Sequence, residues 1–330
     1  MNWLITGGCG FIGSRLIADL LVEGEHQVRI VDDLSVGKAD SLPVGVTVTE
    51  LAASQIAGAP VGLELLIADV TDMSAMRVAA TGCDVIVHLA ANTGVGPSVE
   101  DPVSDCRVNV LGTIAVLEAA RANGVGRFVF ASSGAPVGEV EPPIHENLPA
   151  RPVSPYGASK LAGEGYCSAY AHSFGVDSVA LRFGNVYGPG SGHKSSVVAK
   201  FIKSSLAGET LEIYGDGSQT RDFIYLDDLI RALRLAASVE GIGGEVFQIA
   251  TNRETNLREL IDALRIAFEA RLLKLGDVVF TEPRRGDVMR NFSDTSKAAE
   301  RLGWQSKIAL QEGLVATLDD FLDERGSTST

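Results

Sequence analysis

The first half of the chain alternates short, continuous apolar runs, rich in β-branched residues, with stretches of helical hydrophobic period. The apolar runs predict strands at residues 3–6, 27–31, 64–67, 85–89, 127–131 and 178–182. The stretches of helical period predict helices at residues 11–23, 74–80, 101–123 and 155–174. Continuous apolar strands separated by helices are typical of a parallel sheet that is buried on both faces. With right-handed crossovers, this order predicts an α/β fold built on a doubly wound parallel sheet.

The pattern changes after about residue 185, where a glycine-rich loop occupies residues 184–192. The elements predicted beyond it are helices at 196–206, 256–269 and 296–302, a short strand at 211–214 and a turn at 215–217. Thr255 or Asn256 is the expected N-cap of the helix at 256–269. The apolar runs 223–226 and 246–250 are candidates to return to the main sheet.

These patterns predict two domains. The first covers residues 1–185, with returning segments near residues 222–254. The second is a smaller C-terminal α/β domain at residues 186–330, formed mainly by 186–221 and 255–330. The segment 46–62, before the third predicted strand, has the character of a surface excursion, and we assign it no function.

The composition narrows the classes of protein to consider. The 330 residues are 45% hydrophobic and 21% charged, which is ordinary for a folded globular protein and excludes disorder or a coiled coil for the whole chain. With 28 Lys and Arg against 42 Asp and Glu, the net charge of −14 offers nucleic acid or an anionic membrane no overall attraction. The sequence contains no run of 18 apolar residues, so no membrane span is predicted. An anionic small ligand would need a local positive pocket.

The cysteines show neither metal-ligand nor disulfide spacing. Cys9, Cys83, Cys106 and Cys167 form no C-x-x-C pair, and the five histidines do not cluster with them. We therefore expect reduced thiols and no metal site. The N-terminus opens directly into a predicted strand, without a basic region and a long apolar run, so we expect no signal peptide and a cytoplasmic location.

A glycine motif joins the first predicted strand to the first helix. Its glycines are Gly7, Gly10 and Gly13, which allow a sharp turn, close approach to a pyrophosphate and close packing of the helix. The helix N-terminus that follows supplies N–H donors to the phosphates. Asp32 ends the next strand, where an acidic residue is expected to bind the adenosine ribose and to repel a 2′-phosphate. The motif predicts a Rossmann-like site for NAD in preference to NADP.

Two further groups of residues carry acid–base chemistry. Tyr156 and Lys160 are four residues apart on a predicted helix and therefore share a face. A tyrosine with a pKa near 10 becomes a base at neutral pH only if nearby positive charge stabilises its phenolate. Ser132 and Ser133 follow a predicted strand at the sheet edge where ligands bind, and we choose Ser133 as the hydroxyl that contacts a substrate.

Together these motifs resemble the extended short-chain dehydrogenase/reductase superfamily and, within it, the NAD-dependent nucleotide-sugar epimerases. The resemblance covers nearly the whole chain. Further matching segments lie at residues 69–70, 87–91, 109–113, 182–189, 215–223 and 284–287. It implies a Rossmann-like domain that binds NAD and a smaller C-terminal domain that binds a sugar nucleotide.

By this resemblance, Ser133, Tyr156 and Lys160 match the catalytic triad. The positions implied to bind NAD are Gly7, Gly10, Phe11, Ile12, Gly13, Asp32, Asp69, Val70, Leu89, Ala90, Ala91, Asn109, Tyr156 and Lys160. The positions implied to bind the sugar nucleotide are Ser133, Asn185, His193, Lys194, Arg221, Arg284, Asp287 and Asn291. Their cations would provide the local positive pocket that an acidic chain requires.

The loop after Ser133 distinguishes between reactions within the family. Related 4,6-dehydratases have an Asp-Glu pair there, whereas this chain has Gly134, Ala135 and Pro136. Without those acid–base groups, reversible hydride transfer fits better than elimination. The expected reaction is NAD-dependent epimerisation at C4 of a UDP-sugar through a transient 4-keto sugar, and the enzyme class is an isomerase.

The identity of the sugar stays open between UDP-glucose or galactose, UDP-glucuronate and a UDP-N-acetylhexosamine. Asn291 is smaller than the tyrosine that strict hexose epimerases have at the matching position, which would leave a roomier pocket. His193 and Lys194 lie where glucuronate epimerases bind a carboxylate, although this segment is equally typical of a solvated loop before a helix. Val137 replaces the usual aromatic residue of the sugar pocket.

Two alternatives of other kinds remain at this stage. One is a nucleotide-sugar dehydratase, and the other is a non-catalytic NAD(H)-binding regulator, which would need the glycine motif but not Ser133, Tyr156 and Lys160. Members of the family commonly form homodimers through two helices per subunit, matching residues 101–123 and 155–174 here. A homodimer is therefore expected.

Overall fold

The computed structural model of the protein describes residues 1–283 and 289–327. The strands are β1 (Asn2–Thr6), β2 (Gln27–Asp32), β3 (Val48–Glu50), β4 (Leu63–Ile67), β5 (Val85–His88), β6 (Arg127–Ser133), β7 (Ser178–Phe183), β8 (Asn185–Tyr187), β9 (Leu211–Tyr214), β10 (Thr220–Arg221), β11 (Phe223–Tyr225), β12 (Val246–Ile249), β13 (Thr255–Asn256) and β14 (Val278–Thr281). The α-helices are α1 (Phe11–Val22), α2 (Met73–Ala79), α3 (Val95–Glu100), α4 (Pro102–Cys106), α5 (Gly112–Asn123), α6 (Pro155–Phe174), α7 (Val197–Leu206), α8 (Leu226–Ser238), α9 (Leu257–Glu269), α10 (Ser296–Leu302) and α11 (Leu310–Ser327).

An eight-stranded, fully parallel sheet forms the centre of the fold. Its strand order is β12-β7-β6-β5-β1-β2-β4-β3, so the chain moves outward from β1 first to one side and then to the other. The direction in which successive strands are added therefore reverses between β1 and β5. Ligands of such sheets bind at the carboxyl ends of the strands beside that point. The predicted α/β, Rossmann-like, doubly wound fold is confirmed.

Two apolar layers cover the sheet. On one face, α1 and α8 pack through side chains such as Leu16, Ile17, Leu229 and Leu233. On the other face, α2, α5 and α6 enclose a second cluster that includes Met76. Because both faces are covered, the central strands are apolar at nearly every position, which explains the continuous runs in the sequence.

The predicted elements of the first half are confirmed within two residues at each end, with one interruption. The predicted helix 101–123 is divided into α4, a π-helical segment at Arg107–Leu111 and α5. The segment 46–62 is not only a surface excursion, because Val48–Glu50 pairs with β4 as the edge strand β3. A three-residue strand with only one half-buried side chain leaves little apolar signal in the sequence.

The expectations for the second half are confirmed in part. The run 246–250 does return to the main sheet, as β12 beside β7, and Asn256 caps α9 by accepting from the Glu259 N–H at 2.9 Å. The run 223–226 does not return to the main sheet, because β11 pairs instead with β8 in a separate two-stranded sheet. The hydrophobic pattern did not predict α8 and α11, although both helices contribute buried side chains to the apolar clusters.

The C-terminal part of the chain has an apolar core of its own. Helices α7, α9 and α11 and strand β9 contribute buried side chains to one cluster, among them Phe201, Ile213, Leu264 and Leu318. Strand β9 pairs with β14, and β10 pairs with β13. The chain division near residue 185 stays a prediction, since these clusters do not by themselves set a boundary.

A buried arginine joins the edge of the sheet to the segments around it. Arg29 of β2 is 1% exposed and forms an ion pair with Glu64 of β4, with 2.7 Å between Nε and Oε2. Its other nitrogens donate to the carbonyl oxygens of Ala79, Thr81 and Gly58. One side chain thus binds three carbonyl oxygens on two segments that would otherwise leave these groups unpaired.

We expect Arg29→Met to destabilise the fold by about 3 to 5 kcal/mol, because it leaves the Glu64 carboxylate buried without its cation. Urea unfolding followed by circular dichroism measures this change. Arg265→Ala serves as the control, since it removes an exposed pair with Asp262 on α9 and should cost less than about 0.5 kcal/mol. Equal losses in the two variants would contradict the assignment.

Candidate functional site

A cavity of about 1360 Å³ lies along the carboxyl ends of the central strands. Most of the residues predicted as site residues line it: Gly7, Gly10, Phe11, Ile12, Gly13, Asp32, Asp69, Val70, Leu89, Ala90, Ala91, Ser133, Tyr156, Lys160, Asn185, His193, Lys194 and Arg221. Asn109 lies behind this wall, and Asn291 lies beside β10, where its N–H donates to the Thr220 hydroxyl. Arg284 and Asp287 lie outside the described residues.

The glycine loop between β1 and α1 has no room for side chains. Gly7 has φ +68°, and a Cβ there would lie 2.7 Å from the Ala90 nitrogen. A Cβ on Gly13 would lie 2.5 Å from the Gly7 carbonyl oxygen, so glycine lets α1 pack against the loop. No side chain caps the N-terminus of α1 at Gly10. The N–H groups of its first turn can therefore bind phosphate oxygens.

Asp32 ends β2 at the wall of the cavity. Its Oδ2 accepts from the Cys9 N–H at 2.9 Å, and its Oδ1 accepts from the Leu34 N–H at 2.9 Å. Burial raises the pKa of this carboxyl group, while the two backbone donors act in the opposite direction. The glycine cradle and this fixed carboxylate fit a dinucleotide with a free adenosine ribose, which is the chemistry of NAD.

Ser133 and Tyr156 meet at the centre of the cavity wall. Ser133 is the last residue of β6, and Tyr156 is near the start of α6, which Ser154 caps by accepting from the Gly157 N–H at 3.1 Å. The two hydroxyl groups are hydrogen-bonded, which lowers the pKa of Tyr156, but its burial and the charge of Asp105 raise it more. The phenol therefore needs additional positive charge before it can act as a base near neutral pH.

Lys160 is held one helical turn beyond Tyr156. Its Nζ donates to the Ala131 carbonyl oxygen at 2.9 Å and lies 5.9 Å from the centre of the Tyr156 ring. Burial lowers the pKa of Lys160 to about 8, and the nearby carboxylate of Asp105 limits the decrease. The predicted triad is thus brought together, with a cation placed to stabilise a Tyr156 phenolate.

Asn109 organises the helices behind the site and does not line the cavity. Its side chain is 1% exposed and donates to the Asn92 carbonyl oxygen, the Asp105 carboxylate and the Ser159 hydroxyl, while accepting from the Asn92 N–H. It belongs to the π-helical segment between α4 and α5, a feature that often marks functional sites. Its predicted contact with the cofactor stays a prediction.

The sequence reading missed two carboxylates next to the triad. Glu164 of α6 accepts hydrogen bonds from Ser132 and from Arg182 of β7, and Asp105 of α4 accepts from Asn109. Both were detectable, because Glu164 is four residues after Lys160 and Asp105 is four residues before Asn109. Such spacing places Glu164 on the same helical face as Lys160, and Asp105 on the same face as Asn109.

The residues on the C-terminal side of the cavity supply positive charge. Lys194 lies with its Nζ 5.0 Å from the centre of the Phe11 ring, and burial lowers its pKa. Burial also lowers the pKa of His193, together with the charges of neighbouring lysines such as Lys194. Asn185 opens β8, and Arg221 ends β10 with its Nη1 donating to the Thr220 carbonyl oxygen at 2.7 Å.

The described part of the chain offers neither a metal-binding cluster nor a membrane-spanning helix. Residues 1–283 and 289–327 contain no group of three or more His, Cys, Asp or Glu side chains arranged to hold a metal ion. Within the same ranges, none of the helices combines the length and the apolar character that crossing a membrane requires.

Comparison with known proteins places this site in a family. A family model described as the NAD dependent epimerase/dehydratase family matches residues 3–250. A UDP-glucose 4-epimerase of Mycolicibacterium smegmatis is 40% identical over 97% of this chain and 98% of its own length. A UDP-glucuronate 4-epimerase of Thermodesulfobacterium geofontis is 31% identical over 96% of this chain and 95% of its own.

A solved structure shares the whole fold. The UDP-glucose 4-epimerase of Thermotoga maritima, determined with UDP-glucose, superposes with a TM-score of 0.87 at 34% identity. The match covers 98% of this chain and 100% of the other. The parallel sheet, the glycine cradle and the Ser133, Tyr156 and Lys160 cluster therefore occur in the context that the sequence resemblance implied. The chain belongs to the NAD dependent epimerase/dehydratase family.

Proposed function

We propose that the protein is an isomerase that epimerises a UDP-sugar at C4 with NAD as its cofactor. The observation that carries the proposal is the convergence of Ser133, Tyr156 and Lys160 on the cavity that the glycine loop enters. The three positions after Ser133 support epimerisation over dehydration. Gly134, Ala135 and Pro136 provide no carboxylate that could exchange protons with neighbouring sugar carbons during elimination.

In each half of the reaction, the protein moves one proton between the sugar 4-oxygen and Tyr156. Tyr156, as the phenolate, accepts the proton of the sugar 4-hydroxyl, and Ser133 hydrogen-bonds the same oxygen. Lys160 stabilises the phenolate through its ammonium charge and later favours its return to that form. When bound, NAD supplies reversible acceptance of the hydride from C4. Return of that hydride would regenerate NAD, so the net reaction would consume no cofactor, and its delivery to the opposite face of the sugar would give the C4 epimer.

We expect Tyr156→Phe to reduce kcat by roughly 10³-fold while leaving bound NAD in place, because it removes only the proton acceptor. Turnover is measured by separating the C4 epimers, and bound NAD by its release on acid denaturation. Tyr166→Phe is the matched control, since Tyr166 is an exposed tyrosine on the same helix. Substantial turnover by Tyr156→Phe would reject the assignment.

A panel of UDP-sugars also tests whether the protein catalyses this reaction at all. Epimers formed by the wild-type protein from UDP-glucose, UDP-glucuronate or UDP-N-acetylglucosamine would establish the reaction and its sugar. A 4-keto-6-deoxy product would identify a dehydratase. Tightly bound NAD without turnover of any sugar would instead favour a regulator that senses NAD(H).

Lys194 supports UDP-glucuronate as a substrate, because it brings a half-buried ammonium group to the cavity wall. We expect Lys194→Ala to lower kcat/KM for UDP-glucuronate about 10- to 100-fold relative to UDP-glucose, as loss of a charge-assisted hydrogen bond does. Parallel kinetics with both sugars measure the ratio. Lys274→Ala removes an exposed lysine as the control. An unchanged ratio would exclude the carboxylate contact.

We also propose a homodimer and a cytoplasmic location. Exposed apolar side chains on the first predicted interface segment support the dimer, namely Val103 of α4 at 77% and Leu111 at 55% exposed, and α6, the second predicted segment, packs beside them. All four cysteines are free thiols, and three are buried, which supports a reducing compartment.

The double substitution Val103→Glu and Leu111→Glu should convert the dimer into a monomer, because it places two charges in an apolar interface. Sedimentation velocity at micromolar concentration measures the change in mass. Val22→Glu, which alters an equally exposed valine at the end of α1, should leave the dimer intact. A monomeric wild-type protein, or a dimer that survives the double substitution, would contradict this interface.

A further inference from the structure

Asp105 presents a buried carboxylate oxygen without a hydrogen bond at the wall of the cavity. The residue is 2% exposed on α4 and lines the same cavity as Tyr156 and Lys160. Its Oδ1 accepts from the Asn109 amide at 3.0 Å, but its Oδ2 has no hydrogen-bond partner among the described residues. A buried, half-satisfied carboxylate is costly, so its negative charge must be balanced by a nearby cation or serve the site.

The buried charges around α6 show which cation balances the Asp105 carboxylate. Glu164 and Arg182, both buried, form a bidentate pair with Nε to Oε1 at 2.8 Å and Nη2 to Oε2 at 2.7 Å. Glu164 also accepts from the Ser132 hydroxyl at 2.5 Å. The charge of Glu164 is thus matched by Arg182, which leaves Lys160 and Asp105 as the second cation and anion of the same buried region.

Lys160 and Asp105 act on each other across a gap. No ion pair within 4.0 Å joins Lys160 to any carboxylate among residues 1–283 and 289–327, and its Nζ has one hydrogen bond, to Ala131. Two of its N–H donors and the buried Oδ2 of Asp105 therefore have no hydrogen-bond partner among the described residues. The charge of Asp105 nevertheless raises the pKa of Lys160, because charges in a poorly hydrated site interact more strongly than charges in water.

We propose that Asp105 is a positioning residue that holds Asn109 through one oxygen and, through its charge, keeps the side chain of Lys160 in the ammonium form. This role rests on the proposed function, because the ammonium ion matters only if Tyr156 acts as the base. Asp105 does not contact the sugar in this scheme. It acts through Lys160 and through the Asn109 amide, which also contacts Ser159 beside Lys160.

The neighbouring titratable groups agree with this role. Burial lowers the pKa of Lys160 to about 8. Asp105 opposes this decrease more than Glu164 and Cys167 of α6 do. From β5, His88 is buried with its pKa lowered to about 3, so it stays neutral. The charge of Asp105 also raises the pKa of Tyr156, beside the larger effect of burial. Removing that charge should lower both pKa values.

Asp105→Asn tests the proposal, because the amide oxygen still accepts from Asn109 while the charge is lost. We expect both limbs of the pH profile of kcat to move to lower pH by roughly one unit, with KM for the UDP-sugar unchanged. At pH 8 and above, kcat should fall because Lys160 loses its proton. Asp262→Asn removes an exposed charge from α9 and should move neither limb.

A second readout requires no turnover. Absorbance titration of the phenolate, taken as the difference between each protein and its Tyr156→Phe version, should show Tyr156 ionising at lower pH in Asp105→Asn. If no UDP-sugar is converted but this titration shifts, the proposed function fails and the catalytic role of Asp105 fails with it, while the action of its charge on the ionisation of Tyr156 stands. The proposal would be overturned if the pH profile of kcat and the Tyr156 titration of Asp105→Asn both matched those of the wild type.

Asp105→Ser is the second variant if Asp105→Asn does not fold, because a serine hydroxyl together with a water molecule can fill the space of the carboxylate. The same downward shift is expected, and its absence in a folded Asp105→Ser protein would also overturn the proposal. Asp105→Glu keeps the charge and should restore the wild-type limbs. A purely structural role would instead leave the limbs in place and lower only the melting temperature of all three variants.

Discussion

The site depends on the buried ion pair between Glu164 and Arg182, because this pair sets where α6 lies on the sheet. Arg182 is on β7 and Glu164 is on α6, and the bidentate contact fixes both the distance and the rotation of the helix. Ser132 joins the same carboxylate from β6, so the strand that carries Ser133 is held by the same contact. Tyr156 and Ser133 meet because three elements share this one pair of charges.

The same region places two cations and two carboxylates in a nearly dry interior. Such a cluster contributes little to stability by itself, since the desolvation of each ion offsets most of the attraction. Its value is functional, because burial makes each charge act strongly on the ionisation of its neighbours. Lys160 is an example, because burial lowers its pKa to about 8 while the charges of Asp105 and Glu164 act in the opposite direction. The acidic surface of the chain has little effect at this depth.

The sequence could predict the sheet and the triad because both leave local patterns. Helix α6 extends over Pro155–Phe174 as predicted, since a serine N-cap, a proline at its first position and a glycine at its end mark its bounds. The pairing of β11 with β8 could not be predicted, because three apolar residues fit either sheet. The amphipathic period of residues 226–238 could have predicted α8. Asp105 was missed because its importance arises from Lys160, which lies 55 positions further along the chain.

The environment of Tyr156 indicates that the protein alone does not produce an active base. Burial raises the pKa of Tyr156 above its ordinary value near 10, and the hydrogen bond from Ser133 offsets only part of this effect. With Asp105 opposing ionisation as well, the tyrosine of the unliganded site keeps its proton at neutral pH. The positive charge of an oxidised nicotinamide beside the ring would reverse this balance. A site built in this way removes the proton of a sugar hydroxyl only when a hydride acceptor is present, which protects the substrate from proton transfer without oxidation.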